Sequence, residues 1–439
     1  MTRAIALCCL VTSIARAAPN VPPPEQTEPV LITGATIHTV SGATIENGRM
    51  LFSSGRIVAI GSARSNIDAP ERTVDLSGLH VYPALIDANT ALGLVEIEAV
   101  RATLDVAEAG PINPNVRAER AVNPDSELLP VARANGVLVA LSVPQRGADG
   151  LIVGTSAAVQ LDGWTWEQMT VRAPIGMHVF WPPMRLPSDV SSERRTELLE
   201  RRDEQIETLE TSFEAAIAYR AARESNAETA IDMRWEALVP VLTGRLPLFV
   251  HADDLMQLRH ALDFATRFDL KLVIVGGADA WRIGDELAAR SVPVIVTRVN
   301  RPPIRRWEAY STSFENPSRL VAAGVKLAIA GDGTAFEAAH VRNLPYEAAK
   351  AVAYGLTPEQ ALESVTLAPA QILGIDDRLG SLEVGKDATF IVTNGDPLDT
   401  MTAVEHAYVR GRAIDLTSRH TTLYAKYRER LRQLGYLSD

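Results

Sequence analysis

Three side chains stand where a base, an acid or a metal ligand would be useful. His251 directly follows Pro247-Leu248-Phe249-Val250, and Asp332 follows Leu327-Ala328-Ile329-Ala330-Gly331. His178 lies inside the apolar run Met177-His178-Val179-Phe180. A catalytic zinc takes three protein ligands and one water, and neutral imidazole is a good donor. If His178, His251 and Asp332 converge, they could hold one Zn²⁺ or another divalent ion. Each residue also has a plainer role open to it. His178 could stack on Trp181 or pack under Pro182-Pro183, His251 could be held by hydrogen bonds alone, and Asp332 could serve a Gly-rich turn. Asp253 and Asp254 could fix the His251 tautomer or cap the next helix. The other histidines, His38, His80, His260, His340, His406 and His420, fall away from the ends of strand-like runs and read as structural or exposed.

A second group could bind a small molecule by hydrogen bonds and stacking, without metal. The stretch from Val81 to Gly93 reads as a buried strand running into a Gly-containing loop, with Asn89-Thr90-Ala91 at its end. Arg101 follows in a polar loop, and Asp162-Gly163-Trp164-Thr165-Trp166 comes later. Asn89, Arg101, Trp164 and Trp166 are the candidate substrate contacts. The alternative is that the tryptophans pack the edge of the domain.

The elements that must position these groups alternate between short apolar runs and helical patterns, as in a parallel α/β barrel. Strands are predicted at 80–86, 137–142, 157–161, 176–180, 246–250, 270–275, 292–296 and 325–330, and two or three helices between 191 and 243. In such barrels, side chains at the C-terminal strand ends surround the substrate. Residues 30–79 differ, being short apolar runs broken by glycines, with a hairpin signal at Asn47-Gly48. Similar character returns over 381–415, so both regions are assigned to one composite β-sandwich, with the barrel at 80–380 and a charged surface helix within 416–439.

The chain has 439 residues, 46% of them hydrophobic and 22% charged, which suits a large barrel plus a smaller domain. Its net charge of −11 comes without a basic stripe interleaved with aromatics, which argues against a nucleic-acid partner. Residues 1–17 read as a signal peptide: basic Arg3, a largely apolar run, then Ala15-Arg16-Ala17 before Ala18. The apolar run is too short to span a membrane. Residues 18–29 read as a Pro-rich linker. Both cysteines, Cys8 and Cys9, would leave with the signal, so the exported chain would have neither disulfide nor thiol nucleophile. The expected location is the periplasm.

The first strand with its Asn-Thr-Ala end, the Asp162-Gly163-Trp164-Thr165-Trp166 stretch and the late Gly385-Lys386-Asp387-Ala388 segment together resemble the amidohydrolase superfamily. Within it, the chain is similar to an exported imidazolonepropionase-like subgroup. The resemblance implies a TIM-like (β/α)8 barrel with a small β-sandwich built from both chain ends. It makes His251 the fifth-strand metal ligand and Asp332 the eighth-strand carboxylate that moves the proton of a metal-bound water. It also exposes what is missing. Asn89-Thr90-Ala91 stands where relatives carry His-x-His, and Gly276 stands near the sixth-strand ligand position. A two-metal site is excluded on that count. Two functions follow: hydrolysis of a C–N bond in an amide, cyclic amide or peptide-like substrate through at most one divalent ion, or an inactive periplasmic binding or interaction protein. A small-molecule ligand and a homo-oligomer fit either.

Overall fold

The computed structural model describes residues 21–437 apart from 188 and 227. The expected signal peptide, with Cys8 and Cys9, lies outside the described residues.

Strands from both chain ends share one eight-stranded sheet. Its order is Arg412–Ala413, Val404–Val409, Phe390–Thr393, His80–Pro83, Val30–Ile37, Ile45–Ser53 and Arg56–Ser62, and Arg72–Asp75 pairs in parallel with Val30–Ile37. Phe52, Phe390 and Tyr408 cluster in its core, with ring centroids 4.5 to 5.7 Å apart. The hairpin turn falls at Ser54-Gly55, both with positive φ, rather than at Asn47-Gly48. Gly48 instead sits inside Ile45–Ser53, where a Cβ would come within 2.6 Å of Ile37, so its small size serves packing.

The second region holds seven strands running one way: Leu85–Thr90, Val137–Ser142, Met177–Phe180, Leu248–Ala252, Leu272–Gly276, Val294–Thr297 and Leu327–Ala330. The predicted strand over 80–86 is in fact two pieces. His80–Pro83 belongs to the terminal sheet, and Pro83, lacking an N–H, ends that ladder. The chain then turns, and Leu85 N–H donates to the Gly136 carbonyl, which starts the next strand.

An all-parallel ring is not what forms. Ile152–Thr155 and Ala157–Gln160 make one stave, interrupted at Ser156, that runs antiparallel to Met177–Phe180 on one side and Val137–Ser142 on the other. Only residues 143–151 separate it from the preceding strand. A parallel return needs a crossover of about a dozen residues or more, so this short connection can only reverse the chain. Between the first and last strands, the Val365 and Ser364 carbonyls accept from the Ile86 and Ile329 N–H groups and take the place of a direct ladder.

Period-two alternation sorts the side chains. Ile86, Ala88, Val139, Leu141, Phe249, Val273, Val275, Ile295, Ala328 and Ala330 form the inner cluster. Leu85, Leu138, Val179, Val250, Ile274 and Ile329 join a separate outer cluster with the helices. Two helices, Ser192–Ser225 and Met233–Leu242, fill the connection after the fourth stave. Helix Leu255–Arg267 starts at a capping box in which Asp254 accepts from the Met256 and Gln257 N–H groups while Gln257 returns to the Asp254 N–H. Helix Arg419–Gln433 is exposed along its length. Among the described residues, no helix is long and apolar enough to cross a membrane.

Candidate functional site

The alternation that builds the wall also divides the candidate residues. His178 alternates with Met177 and Val179, and His251 with Val250 and Ala252, all of which belong to the outer cluster, so the two imidazoles share the inner face with Phe249. His178 is fully buried. Its Nδ1 lies 2.9 Å from His251 Nε2, one nitrogen donating and the other accepting. His251 stacks on Phe180 at 4.0 Å, and His178 packs against Phe249 at 4.9 Å. Burial, reinforced by the neighbouring imidazole, holds the His178 pKa well below its ordinary value, and burial holds His251 at about 3. Both rings are therefore neutral at pH 7. The Asp254 side chain caps its helix, and Asp253 accepts from the Ala278 N–H and pairs with Arg301, which leaves both occupied away from the imidazoles.

Asp332 stands in a different place. One carboxylate oxygen is 3.0 Å from Arg298 Nη1, and the other accepts from the Thr334 N–H and hydroxyl at 2.9 and 2.8 Å. Arg298 holds a left-handed backbone, φ 52°, unusual for a residue with a Cβ and a mark of local strain. The cavity beside it, about 330 Å³, is lined by Asp87, Asn89, Arg298, Asp332, His340 and Glu347. His251 is not part of this lining, so the expected meeting of His178, His251 and Asp332 does not occur. His340, read from the sequence as structural, is.

Asn89 does reach the cavity. Its Nδ2 donates to the Gly331 carbonyl at 3.2 Å, and its buried Oδ1 has no partner. Gly333 makes this approach feasible, because a Cβ there would come within 2.4 Å of Asn89 Nδ2. Arg101 is exposed in the turn Arg101–Thr103 and does not line the cavity. Trp164 and Trp166 sit at the opposite pole. Because their stave runs antiparallel, with Gln160 opposite Val139 and Ala157 opposite Ser142, the loop leaving it emerges where the parallel strands begin. There Trp166 lies under the Arg120 guanidinium at 4.6 Å, and Trp164 is exposed.

The residue that sequence reading passed over is Asp87. It lies in the quoted first strand, and the available signal was a lone charge inside the otherwise uncharged buried run Ala84 to Thr90. It is fully buried. Its Oδ1 accepts from the Asn89 and Gly331 N–H groups at 3.1 and 3.2 Å, while Oδ2 is buried without a partner. Burial raises its pKa to about 7 against the pull of those two N–H groups, and the charges of Glu347 and Asp332 add to the rise. Burial also raises Glu347.

The donor set does not fit a metal. Among the described residues, no three His, Cys, Asp or Glu side chains come together as a group able to hold one. Gly276 cannot be read as a ligand position awaiting a side chain, since its φ is +104° and a Cβ would lie 3.0 Å from both the Ala252 carbonyl and an Asp253 carboxylate oxygen.

Residues 306–413 match the amidohydrolase family model. The chain is 24% identical to amidohydrolase tasK of Hapsidospora irregularis over 88% of its own length, and it spans 43% of that longer protein. It is 26% identical to the imidazolonepropionase of Pseudomonas putida, covering 80% of this chain and 88% of that one. The crystal structure of an amidohydrolase from Thermotoga maritima superposes with a TM-score of 0.77 at 26% identity, covering 88% of this chain and 99% of that one. The matches are thus to amidohydrolases, and the fold is similar to that of the Thermotoga maritima amidohydrolase.

Proposed function

We propose that the protein hydrolyses a C–N bond of an amide, cyclic amide or peptide-like small molecule in the cavity between Asp87 and Asp332. The observation that carries this reading is the pairing of a buried carboxyl with a raised pKa and a free oxygen, Asp87, with a carboxylate fixed by Arg298, Asp332, on one cavity. A buried acid that keeps its proton, beside a carboxylate held in an ion pair, is suited to acid and base roles. In this mechanism Asp332 takes a proton from the attacking water, and the water oxygen bonds to the amide carbon. Arg298 faces the oxygen that gains charge, and Asn89 positions the substrate. Asp87 gives its proton to the leaving nitrogen as the C–N bond breaks, so one water is consumed and an acid and an amine are released.

The reading places the chain in the imidazolonepropionase-like subgroup with a degenerate metal site and at most one divalent ion. No step is assigned to such an ion, because the donor set does not fit it. The test is turnover of a panel of N-acyl, cyclic and dipeptide amides before and after exhaustive chelation. The expected result is amine release that changes less than about twofold on chelation and falls about 10²-fold or more in Asp332→Asn. Activity lost on chelation and restored by Zn²⁺ would overturn the metal-free mechanism. Saturable binding of these amides with no turnover would make the protein a binding protein instead.

Export to the periplasm, with a mature chain starting at Ala18, and self-association into a homo-oligomer belong to the same proposal. The N-terminal stretch with Ala15-Arg16-Ala17 supports export. N-terminal sequencing of the periplasmic fraction is expected to begin at Ala18; recovery only in the cytoplasm with residue 1 or 2 intact would defeat this part.

A further inference from the structure

A second cavity, about 320 Å³, is built from Arg146, Arg185, Arg201 and Arg202 around walls that include Leu186 and Leu198. Four arginines lining one cavity stand out in a chain of net charge −11. The local charges do not cancel. Arg201 pairs with Asp149 at 2.9 Å and Arg202 with Asp203 at 2.7 Å. Arg185 donates to the neutral Ile304 carbonyl, at 2.9 Å, and lies over the Trp307 ring. Among the described residues, Arg146 has no hydrogen-bond or ion-pair partner. Burial, with Arg201 beside it, holds the Arg146 pKa below its ordinary value against the attraction of Asp149. A half-buried guanidinium without a direct ion pair, next to further cations, is stabilised by an anion.

The fold places this cavity at the pole that carries Asp332. Arg146 lies in the loop leaving Val137–Ser142, Arg185 in the segment after Met177–Phe180, and Arg201 and Arg202 on helix Ser192–Ser225. We propose that the cavity binds a ligand with a carboxylate and an apolar body, the carboxylate on Arg146 and Arg185 and the apolar body against Leu186 and Leu198. Carboxylate matches the planar fork of arginine, and the apolar walls favour a branched aliphatic group over a bare anion. This concerns binding alone and stands apart from the hydrolase reading.

The probe is 4-methylpentanoate, which has no C–N bond and so reports binding without turnover. Isothermal titration of the full chain is expected to show saturable binding that weakens tenfold or more in Arg146→Met. The neutral 4-methylpentan-1-ol, acetate and inorganic phosphate are each expected to bind at least tenfold more weakly. Arg185→Met is the second variant should Arg146→Met fail to fold, with thermal melts as the check on both. No saturable binding to the wild type, or wild-type affinity in folded variants, would overturn the proposal. Phosphate binding as tightly as 4-methylpentanoate would also overturn it, because the apolar walls would then contribute nothing.

Discussion

Asp87→Asn is expected to make the protein more stable above pH 7 while lowering its C–N hydrolysis about 10²-fold or more. Asn can keep the acceptor that serves the Asn89 and Gly331 N–H groups and fills the same space without a charge. The stability gain follows from linkage. Asp87 titrates near 3.8 in the unfolded chain and near 7 in the folded protein. Below about pH 4, both states hold the proton and the group has no effect. Between about 4 and 7, the unfolded chain releases it and the folded protein keeps it, so stability falls as pH rises, by up to about 1.4 kcal/mol per pH unit. Above 7 the loss levels off, at a ceiling of about 4 kcal/mol for full burial of the charge. The difference in unfolding free energy between Asp87→Asn and wild type, measured by denaturant titration from pH 4.5 to 8.5, should therefore grow with pH and then flatten. A difference independent of pH would show that Asp87 is ionised throughout, and would remove it as the proton donor. Stability rising as activity falls is also hard to obtain from simple structural damage.

The architecture was legible wherever hydrophobic pattern alone decides an element. Val137–Ser142 is a run of six buried residues, and it forms with the predicted bounds. The charged, Gly-poor stretch after 191 gives two helices, Ser192–Ser225 and Met233–Leu242. Direction was not legible from pattern. An apolar run such as Ala157–Gln160 reads the same forward or reversed, and only the short connection over 143–151 tells which way it runs. That one reversal moves Trp164 and Trp166 to the far pole. The site was half legible. Asn89 and Asp332 were placed by their positions at strand ends, but they share a cavity with Asp87, whereas His178 and His251 bond to each other. The first strand shows a register irregularity between Asp87 and Thr90, a feature with no signature in the local sequence.

The histidine pair should dominate the response of the protein to mild acid, in the direction opposite to Asp87. Both imidazoles titrate near 6.5 when unfolded; in the folded protein His251 is held at about 3 and His178 well below its ordinary value. Above pH 6.5 neither state binds these protons. As pH falls below 6.5, the unfolded chain takes up two protons that the folded protein refuses, so stability drops by as much as about 2.7 kcal/mol per pH unit, twice the single-proton slope. Replacing both rings by leucine removes this linkage and leaves no polar atom behind, a change that is close to neutral at pH 7. His251→Leu alone is different, because His178 would then have both ring nitrogens buried without a partner, Nε2 having none already. That variant should lose about 1–3 kcal/mol at pH 7. The double variant His178→Leu/His251→Leu should recover most of that loss and resist acid better than wild type between pH 6.5 and 4.5. Urea unfolding across that range reads the outcome directly. If the double variant keeps the acid sensitivity of the wild type, the two imidazoles already carry a proton in the folded protein and the neutral, hydrogen-bonded pair is wrong.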